Sequence, residues 1–391
     1  MKLNTLKLNN KLAIWFYAFF LQSGYFKSDF RLSWLPVDLT ILAAFFVFAF
    51  LMYELLKTKK IATGIIFVLL FFVLFLPGLF TVDWTPYTQM KTFRFYTQTL
   101  LVAITPFFFI STKDRLREFL KSTVVFGLLV TIDVVFQMIV FGGNVWKITA
   151  FGSSVIAIGR SVGLVVIYYG LKLAMGGERR LLNLVLLSLA GIVVLVSGQR
   201  MAIVGPVLTL IVTLLLAFGP KPVHIKRMLI VMAVVTIVVA STFSFLPQRS
   251  GQRIERHFSG GFESFVDTQR GTLLLRSLEK GADYPFGLGL GGVFNKLGFN
   301  YPHNLFVETF VEGGWLAAAF LCLLLLVVFV NSFFRMKYND FGIYVILFGF
   351  LTYSFFYSMV AGDINGNRMV FALVSICLIN HRTICCRPNE T

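Results

Sequence analysis

The sequence predicts an all-α integral membrane protein, a single polytopic membrane domain over residues 1–391 with about twelve transmembrane helices and one large external loop. Of the 391 residues, 57% are hydrophobic and 16% are aromatic, and the mean hydropathy is +0.82. Apolar runs of about 14–25 residues recur, the length that a helix needs to cross a bilayer. A basic, polar stretch at 247–303 separates two groups of these runs. A soluble core could not enclose so much apolar surface.

The apolar runs give the order of the predicted helices along the chain. The predicted spans are 12–25, 36–56, 61–82, 95–110, 122–141, 161–176, 181–197, 201–218, 228–246, 304–330, 341–360 and 369–381. The first and last are short for a bilayer, so we expect them to be tilted or only half-buried. Segment 111–121 mixes charged and apolar residues at helical spacing, which is typical of an interfacial connector.

The distribution of charge predicts the topology. The net charge is +17, and most of the lysines and arginines outside the long stretch lie in segments that share one side of the membrane with the N-terminus, such as 57–60, 113–121 and 221–227. The positive-inside rule therefore places both termini in the cytoplasm and the loop 247–303 outside. Because membrane topology explains most of the positive charge, we expect no nucleic-acid partner. None of the four cysteines lies in an external segment, so no external disulfide framework is expected.

The external loop has two features of its own. Apolar residues recur at helix-like intervals from 262 to 278; Gly271 weakens a single continuous helix, so two shorter helices are possible. The run 285–292 (PFGLGLGG) follows, and its glycines permit close backbone approach and positive φ. This run could form an anion-binding concavity or a flexible re-entry turn.

Several ionisable residues fall at the predicted external ends of the spans, where a charge usually faces a cavity or a partner. These residues are Arg160, Arg200, Glu308, Glu312, Asp363 and Arg368, and the loop adds Arg270, Arg276 and His303. Arginine presents a planar fork of donors to phosphate oxygens, and histidine can act as a general base near neutral pH. The set predicts a diphosphate site beside a base. The alternative is that each arginine lies at a helix end or pairs with a nearby acid.

Metal and nucleotide chemistry have little support in the sequence. Glu308 and Glu312 share a helix face at i, i+4, but no other His, Cys or carboxylate has convincing ligand spacing. There is no phosphate-binding loop, no Gly-x-Ser-x-Gly and no HExxH motif. We therefore expect no metal and no cofactor.

Four stretches carry a family resemblance through their order along the chain. They are 159–163 (GRSVG), 196–200 (VSGQR), Arg270 with Gly281 and 285–289 (PFGLG), and 303–305 (HNL) with 312–314 (EGG). Together they resemble the O-antigen ligase / O-antigen polymerase superfamily of bacterial envelope enzymes. The register of the third stretch is ambiguous, because Arg276 has the same spacing to Gly287 that Arg270 has to Gly281.

The resemblance implies a metal-independent membrane glycosyltransferase, similar in fold to the lipid-donor GT-C type, at the periplasmic face of the bacterial inner membrane. Its donor would be a glycan on undecaprenyl diphosphate, and its acceptor another glycan or the lipid A core. Membrane lipids and envelope polysaccharide assembly proteins would be its other partners. By motif, Arg200 and Arg270 would bind diphosphate and His303 would act on the acceptor hydroxyl or a phosphate. Arg160 and Arg276 are weaker members of the diphosphate set.

Three functions remain open from sequence. Polymerase-type chain growth of O-antigen, capsule or exopolysaccharide is slightly favoured, because many superfamily members act there and nothing in the chain indicates a lipid A core site. Ligation to lipid A core is the nearest alternative. A transporter of lipid-linked glycans would place its charges near mid-membrane and break its helices there, whereas the charges here cluster at one face.

Overall fold

The computed structural model describes residues 2–57, 62–141, 149, 151–219, 269–338 and 341–379. Within these ranges the chain is helical and forms no β-strand, which confirms the all-α class. The predicted span 228–246 and loop residues 247–268 lie outside the described residues. The number of about twelve spans stays a prediction.

The helices follow one another with short connections. In chain order they are α1 (Lys2–Gln22), α2 (Leu39–Lys57), α3 (Gly64–Val73), α4 (Pro86–Arg94), α5 (Leu100–Ile104), α6 (Pro106–Phe109), α7 (Lys113–Phe141), α8 (Val155–Ala174), α9 (Arg180–Val196), α10 (Arg200–Phe218), α11 (Gln269–Ala282), α12 (Gly292–Leu297), α13 (Leu305–Tyr338), α14 (Phe341–Ser358) and α15 (Arg368–Leu378). A π-helical turn, Phe95–Thr99, joins α4 to α5.

Five of the described helices are long and apolar enough to cross a membrane. They are α2, α7 over Lys113–Val140, α8, α10 and α13. Shorter apolar helices, Arg180–Val196, Gly342–Ser358 and Arg368–Leu378 among them, lie on predicted spans. The structure also joins the predicted connector 111–121 and the span 122–141 into the single helix α7, because nothing in that stretch interrupts helical hydrogen bonding.

Helix α8 lies at the centre of the bundle and carries Arg160. In its most apolar window 72% of residues are buried inside the protein, against 22% in α2, whose apolar side chains are left for lipid. Gly163 lets α8 approach α14 closely: a Cβ there would lie 2.0 Å from the Tyr353 hydroxyl oxygen. That hydroxyl donates to the Gly159 carbonyl at 2.6 Å. Close packing of these two helices brings Arg160 to the end of α14.

The predicted span 304–330 is part of α13, but it is broken at Gly314, where φ is 82° and ψ is −179°. A break inside a membrane helix exposes backbone groups that need partners. The loop run supplies them. Leu288 N–H donates to the Val311 carbonyl at 2.8 Å, Gly289 N–H donates to the Glu312 carbonyl at 3.0 Å, and Trp315 N–H donates to residue 285 at 3.0 Å.

Glycine is required on both sides of this junction. A Cβ on Gly287, whose φ is +80°, would lie 2.3 Å from the Glu312 carbonyl oxygen. A Cβ on Gly314 would lie 2.3 Å from the Pro285 carbonyl oxygen. The run 285–292, predicted to be either an anion concavity or a re-entry turn, therefore hydrogen-bonds to the broken helix. We call it the re-entrant run. The helix α11 before it runs through Gly271 without interruption.

Candidate functional site

The segment just after α14 is where three of the predicted site stretches meet. The carbonyls of residues 359, 360 and 361 accept hydrogen bonds, in that order, from Asn304 Nδ2 at 3.1 Å, Arg270 Nη1 at 3.4 Å and Arg160 Nη2 at 2.8 Å. Carbonyls in the last turn of a helix have no intrahelical partner, so they are available to side chains. We call residues 359–367 the carbonyl turn. It gathers side chains from three separate stretches of the chain.

Arg160 clamps this turn. Its Nη1 donates to the Gly366 carbonyl, and its Nη2 donates to Asn367 Oδ1 at 2.9 Å as well as to residue 361. The guanidinium also lies over the ring of Tyr357, 5.4 Å from the ring centre. Most of its donors thus point at protein acceptors, which suits holding the turn in place better than holding a ligand.

Arg200 begins α10 at the same end of the bundle. The residue before it, Gln199, accepts a hydrogen bond from the Tyr357 hydroxyl at 2.7 Å. Tyr357 therefore contacts both the Arg160 guanidinium and the start of the helix that carries Arg200. The Arg200 side chain is half-buried. Gly198, with φ +60°, makes the turn that starts this helix.

The two candidate loop arginines lie on α11 in different surroundings. Arg270 is exposed, and within the described residues it donates one hydrogen bond, the long one to the carbonyl turn. Arg276 is also exposed, and it makes no ion pair or hydrogen bond to any other described part of the chain. Arg270 is close enough to His303 to help lower the pKa of that imidazole. Arg270 thus donates to the same turn as Asn304, the residue after His303, whereas Arg276 makes no such contact among the described residues.

His303 lies half-buried at the entrance to α13 with a positive φ of 61°. Its ring packs edge-on against Tyr301, with 4.5 Å between ring centres. Nδ1 is buried and has no hydrogen-bond partner among the described residues. Burial lowers the pKa of His303 below 6.5, and the Arg270 charge lowers it further, whereas Asp363 opposes the shift. The imidazole is therefore neutral at neutral pH and keeps a basic nitrogen.

Asn304 fixes the position of this histidine. Its Oδ1 accepts from the Phe306 and Val307 N–H groups at 3.0 and 3.1 Å, an N-cap of α13. Its Nδ2 donates to the carbonyl turn. The His-Asn pair noted in the sequence thus puts the imidazole beside the residue that anchors the start of α13.

Glu308 and Glu312 lie on one face of α13, as their spacing predicts, and both bind Lys91 of α4. Lys91 Nζ is 2.6 Å from Glu308 Oε1 and 2.8 Å from Glu312 Oε1. All three side chains are at most 3% exposed. Sequence reasoning missed Lys91. A single lysine within a short helix carries no local sequence pattern that indicates its distant partners.

Asp363 and Arg368 complete the polar groups around the turn. Asp363 Oδ1 accepts from the Gly366 N–H at 2.8 Å and so shapes the turn. Arg368 Nη2 donates to Gln98 Oε1, and its guanidinium lies 5.2 Å from the ring centre of Phe20. Within the described ranges, no three His, Cys, Asp or Glu residues are grouped so that they could hold a metal ion.

The arrangement combines an exposed guanidinium with a neutral imidazole on one surface. Such a pair can bind a phosphate oxygen on one side and accept a proton from a hydroxyl on the other. Helices α8 and α10 bring two further arginines to the same end of the bundle.

The sequence also matches a known family. Residues 184–322 match the family model described as O-antigen ligase. The match includes Arg200, both loop arginines and His303, and it confirms the superfamily resemblance predicted from the motifs. No curated protein matches the chain significantly.

Proposed function

We propose that this protein, a member of the O-antigen ligase and polymerase superfamily, transfers a glycan from undecaprenyl diphosphate to an acceptor sugar at the periplasmic face of the bacterial inner membrane. The observation that carries the proposal is that Arg270 and Asn304, the residue after His303, donate to adjacent carbonyls of the carbonyl turn. Arg270 supplies a charged fork with donors left for a ligand. His303 is the neutral base beside Asn304.

The reaction needs two things from the protein. An acceptor hydroxyl oxygen bonds to the anomeric carbon of the donor sugar while the bond from that carbon to the diphosphate oxygen breaks. His303 takes the hydroxyl proton, and the diphosphate leaves with the bonding electrons. Arg270 and Arg200 stabilise the charge that develops on the leaving group. The step needs no metal, because the guanidinium groups provide the positive charge.

The other arginines have different parts in this proposal. Arg160 binds the carbonyl turn and so positions the site, at most sharing one donor with the diphosphate. Arg276 is exposed on α11, where it can meet the donor. Residues 269–303 of the loop 247–303 pack on α13 and can cover the reacting groups, which would keep water from hydrolysing the donor.

We favour polymerase-type chain growth, in which the acceptor is another lipid-linked glycan of O-antigen, capsule or exopolysaccharide. Ligation to lipid A core is the second candidate, and the description of the matching family model favours it. Both reactions use the same donor chemistry and differ only in the acceptor.

A deletion strain complemented with this chain separates the candidates through its lipopolysaccharide on a gel. Core capped by a single repeat unit in the deletion identifies a polymerase. Uncapped core with accumulating lipid-linked polymer identifies a ligase. An unchanged ladder points to another polysaccharide or to transport of the lipid-linked glycan.

A further inference from the structure

The three fully buried charges Lys91, Glu308 and Glu312 form a cluster that the proposed reaction does not use; we call it the charge lock. Beyond the two Lys91 contacts, Glu312 Oε1 accepts from the Gly291 N–H at 3.0 Å. The Lys91 carbonyl accepts from Asn365 Nδ2 at 3.0 Å. The lock thus touches α4, α13, the re-entrant run and the carbonyl turn.

The charges of the lock do not cancel if all three groups are ionised. Two carboxylates and one ammonium leave a net charge of −1 in a place without solvent. Glu308 Oε2 and Glu312 Oε2 are both buried, and neither has a hydrogen-bond partner in the described structure. Because an uncompensated buried charge is costly, the lock is neutral only when the carboxyl pair holds one proton.

A buried ion cluster of this kind adds little to stability compared with apolar side chains of equal volume, but it can specify one arrangement of the elements that it joins. Apolar side chains would let α4 and α13 slide, whereas an ammonium between two carboxylates fixes one register.

The lock lies between the entrance to α13 and the break in that helix, so the register that it fixes affects both places. Glu308 N–H donates to the Asn304 carbonyl at 2.9 Å, so Glu308 lies in the helical turn that follows His303. Glu312 comes two residues before the break at Gly314, and both its carbonyl and its side chain accept from the re-entrant run. Displacing Lys91 would loosen the entrance to α13 and the junction at its break together.

We propose that Lys91 is a positioning residue which, through Glu308 and Glu312, seats the re-entrant run and sets the place of His303 against the carbonyl turn. The part of this inference that concerns turnover rests on the proposed glycosyl transfer. The part that concerns the re-entrant run does not.

Hydrogen exchange of the purified protein in nanodiscs tests the seating directly. Lys91→Met should raise the exchange rates of the Leu288, Gly289 and Gly291 amides by about tenfold or more, because their acceptors lie around the lock. The matched control is Lys296→Met. Lys296 pairs with Asp83 at 3.1 Å on the surface of the same region, and such exposed pairs matter little, so exchange should stay at the wild-type rate.

Glutamine substitutions distinguish a charge lock from simple packing, and they serve if Lys91→Met does not fold. Glu308→Gln and Glu312→Gln each leave one neutral Lys–Glu pair, so exchange should stay within about threefold of wild type. The double variant leaves the ammonium alone and should exchange as fast as Lys91→Met. Equal behaviour of the single and double variants would overturn the proposal.

Turnover provides the second readout. Lys91→Met should lower kcat by about tenfold or more with the donor KM within about twofold, since Lys91 positions groups and does not contact the donor. Wild-type exchange in Lys91→Met, or a loss of kcat with unchanged exchange, would contradict the positioning role. If the wild type transfers no glycan while the variant exchanges faster, the seating stands and the proposed function fails.

Discussion

Replacing Arg270 by alanine should destroy turnover and leave the fold intact. The side chain is exposed, and its hydrogen bond to the carbonyl turn is 3.4 Å long. A typical net hydrogen bond contributes about 0.5–1.5 kcal/mol, so this long, exposed one contributes about 0.5 kcal/mol or less. The midpoint of thermal unfolding should therefore fall by no more than about 2 °C.

The expected loss of activity is much larger. Removing one preorganised donor from a developing anion costs about 10²–10³ in kcat, or about 2.7–4 kcal/mol in the activation free energy. Arg270→Ala should therefore lower kcat/KM by that factor, measured on a synthetic polyprenyl-diphosphate glycan with purified protein. Arg270→Lys keeps the charge and loses the fork, so it should recover only part of the loss.

Arg276→Ala provides the comparison on the same helix. Its side chain is equally exposed and contacts no other described polar group, so its loss should cost no more than about fivefold. If Arg276→Ala were as damaging as Arg270→Ala, or if Arg270→Ala kept wild-type activity, the assignment of the leaving-group charge to Arg270 would be wrong.

Three further results are expected. With neutral His303 as the proposed base and its pKa lowered by burial, kcat/KM should hold at neutral pH and fall only in acid. Asp363→Asn removes the charge that opposes this shift and should move the acid limb to lower pH, whereas an unmoved limb would argue against this base. Gly298→Ala should cost about 1–2 kcal/mol in thermal unfolding, because Gly298 has a φ of +78° but open space around it. Gly287→Ala should cost clearly more, because its Cβ would also meet the Glu312 carbonyl oxygen. EDTA should leave activity unchanged. Loss of activity in EDTA that an added metal restores would contradict the proposed chemistry.

The fold class could be predicted because apolar runs of bilayer length need no tertiary information. The sequence also predicted that the cations at one face, Arg160, Arg270 and His303 among them, belong to one site. In the structure Arg160 and Arg270 donate to the carbonyl turn, as does Asn304, the residue after His303. The structure also gives Arg270 and Arg276 different surroundings, which identical glycine spacing could not do.

Other features depend on contacts between distant parts of the chain. The apolar run 304–330 reads as one span, because the break at Gly314 exists only where the re-entrant run offers hydrogen bonds in place of helical ones. Lys91 finds Glu308 and Glu312 across more than two hundred residues, and no local pattern encodes that contact. The carbonyl turn uses backbone acceptors, which every sequence has and which therefore carry no sequence signal.

The central claim is that the protein itself moves the glycan from the lipid diphosphate to a hydroxyl. The most direct test incubates purified protein in detergent, without nucleotide or metal, with a lipid-diphosphate-linked repeat unit and an acceptor, and then separates the products. The products should be a lengthened or newly attached glycan and an equal amount of free polyprenyl diphosphate, and both should be lost in His303→Ala. Donor recovered unchanged with wild-type protein, together with its movement across the membrane of protein-containing vesicles, would contradict glycosyl transfer and identify a transporter.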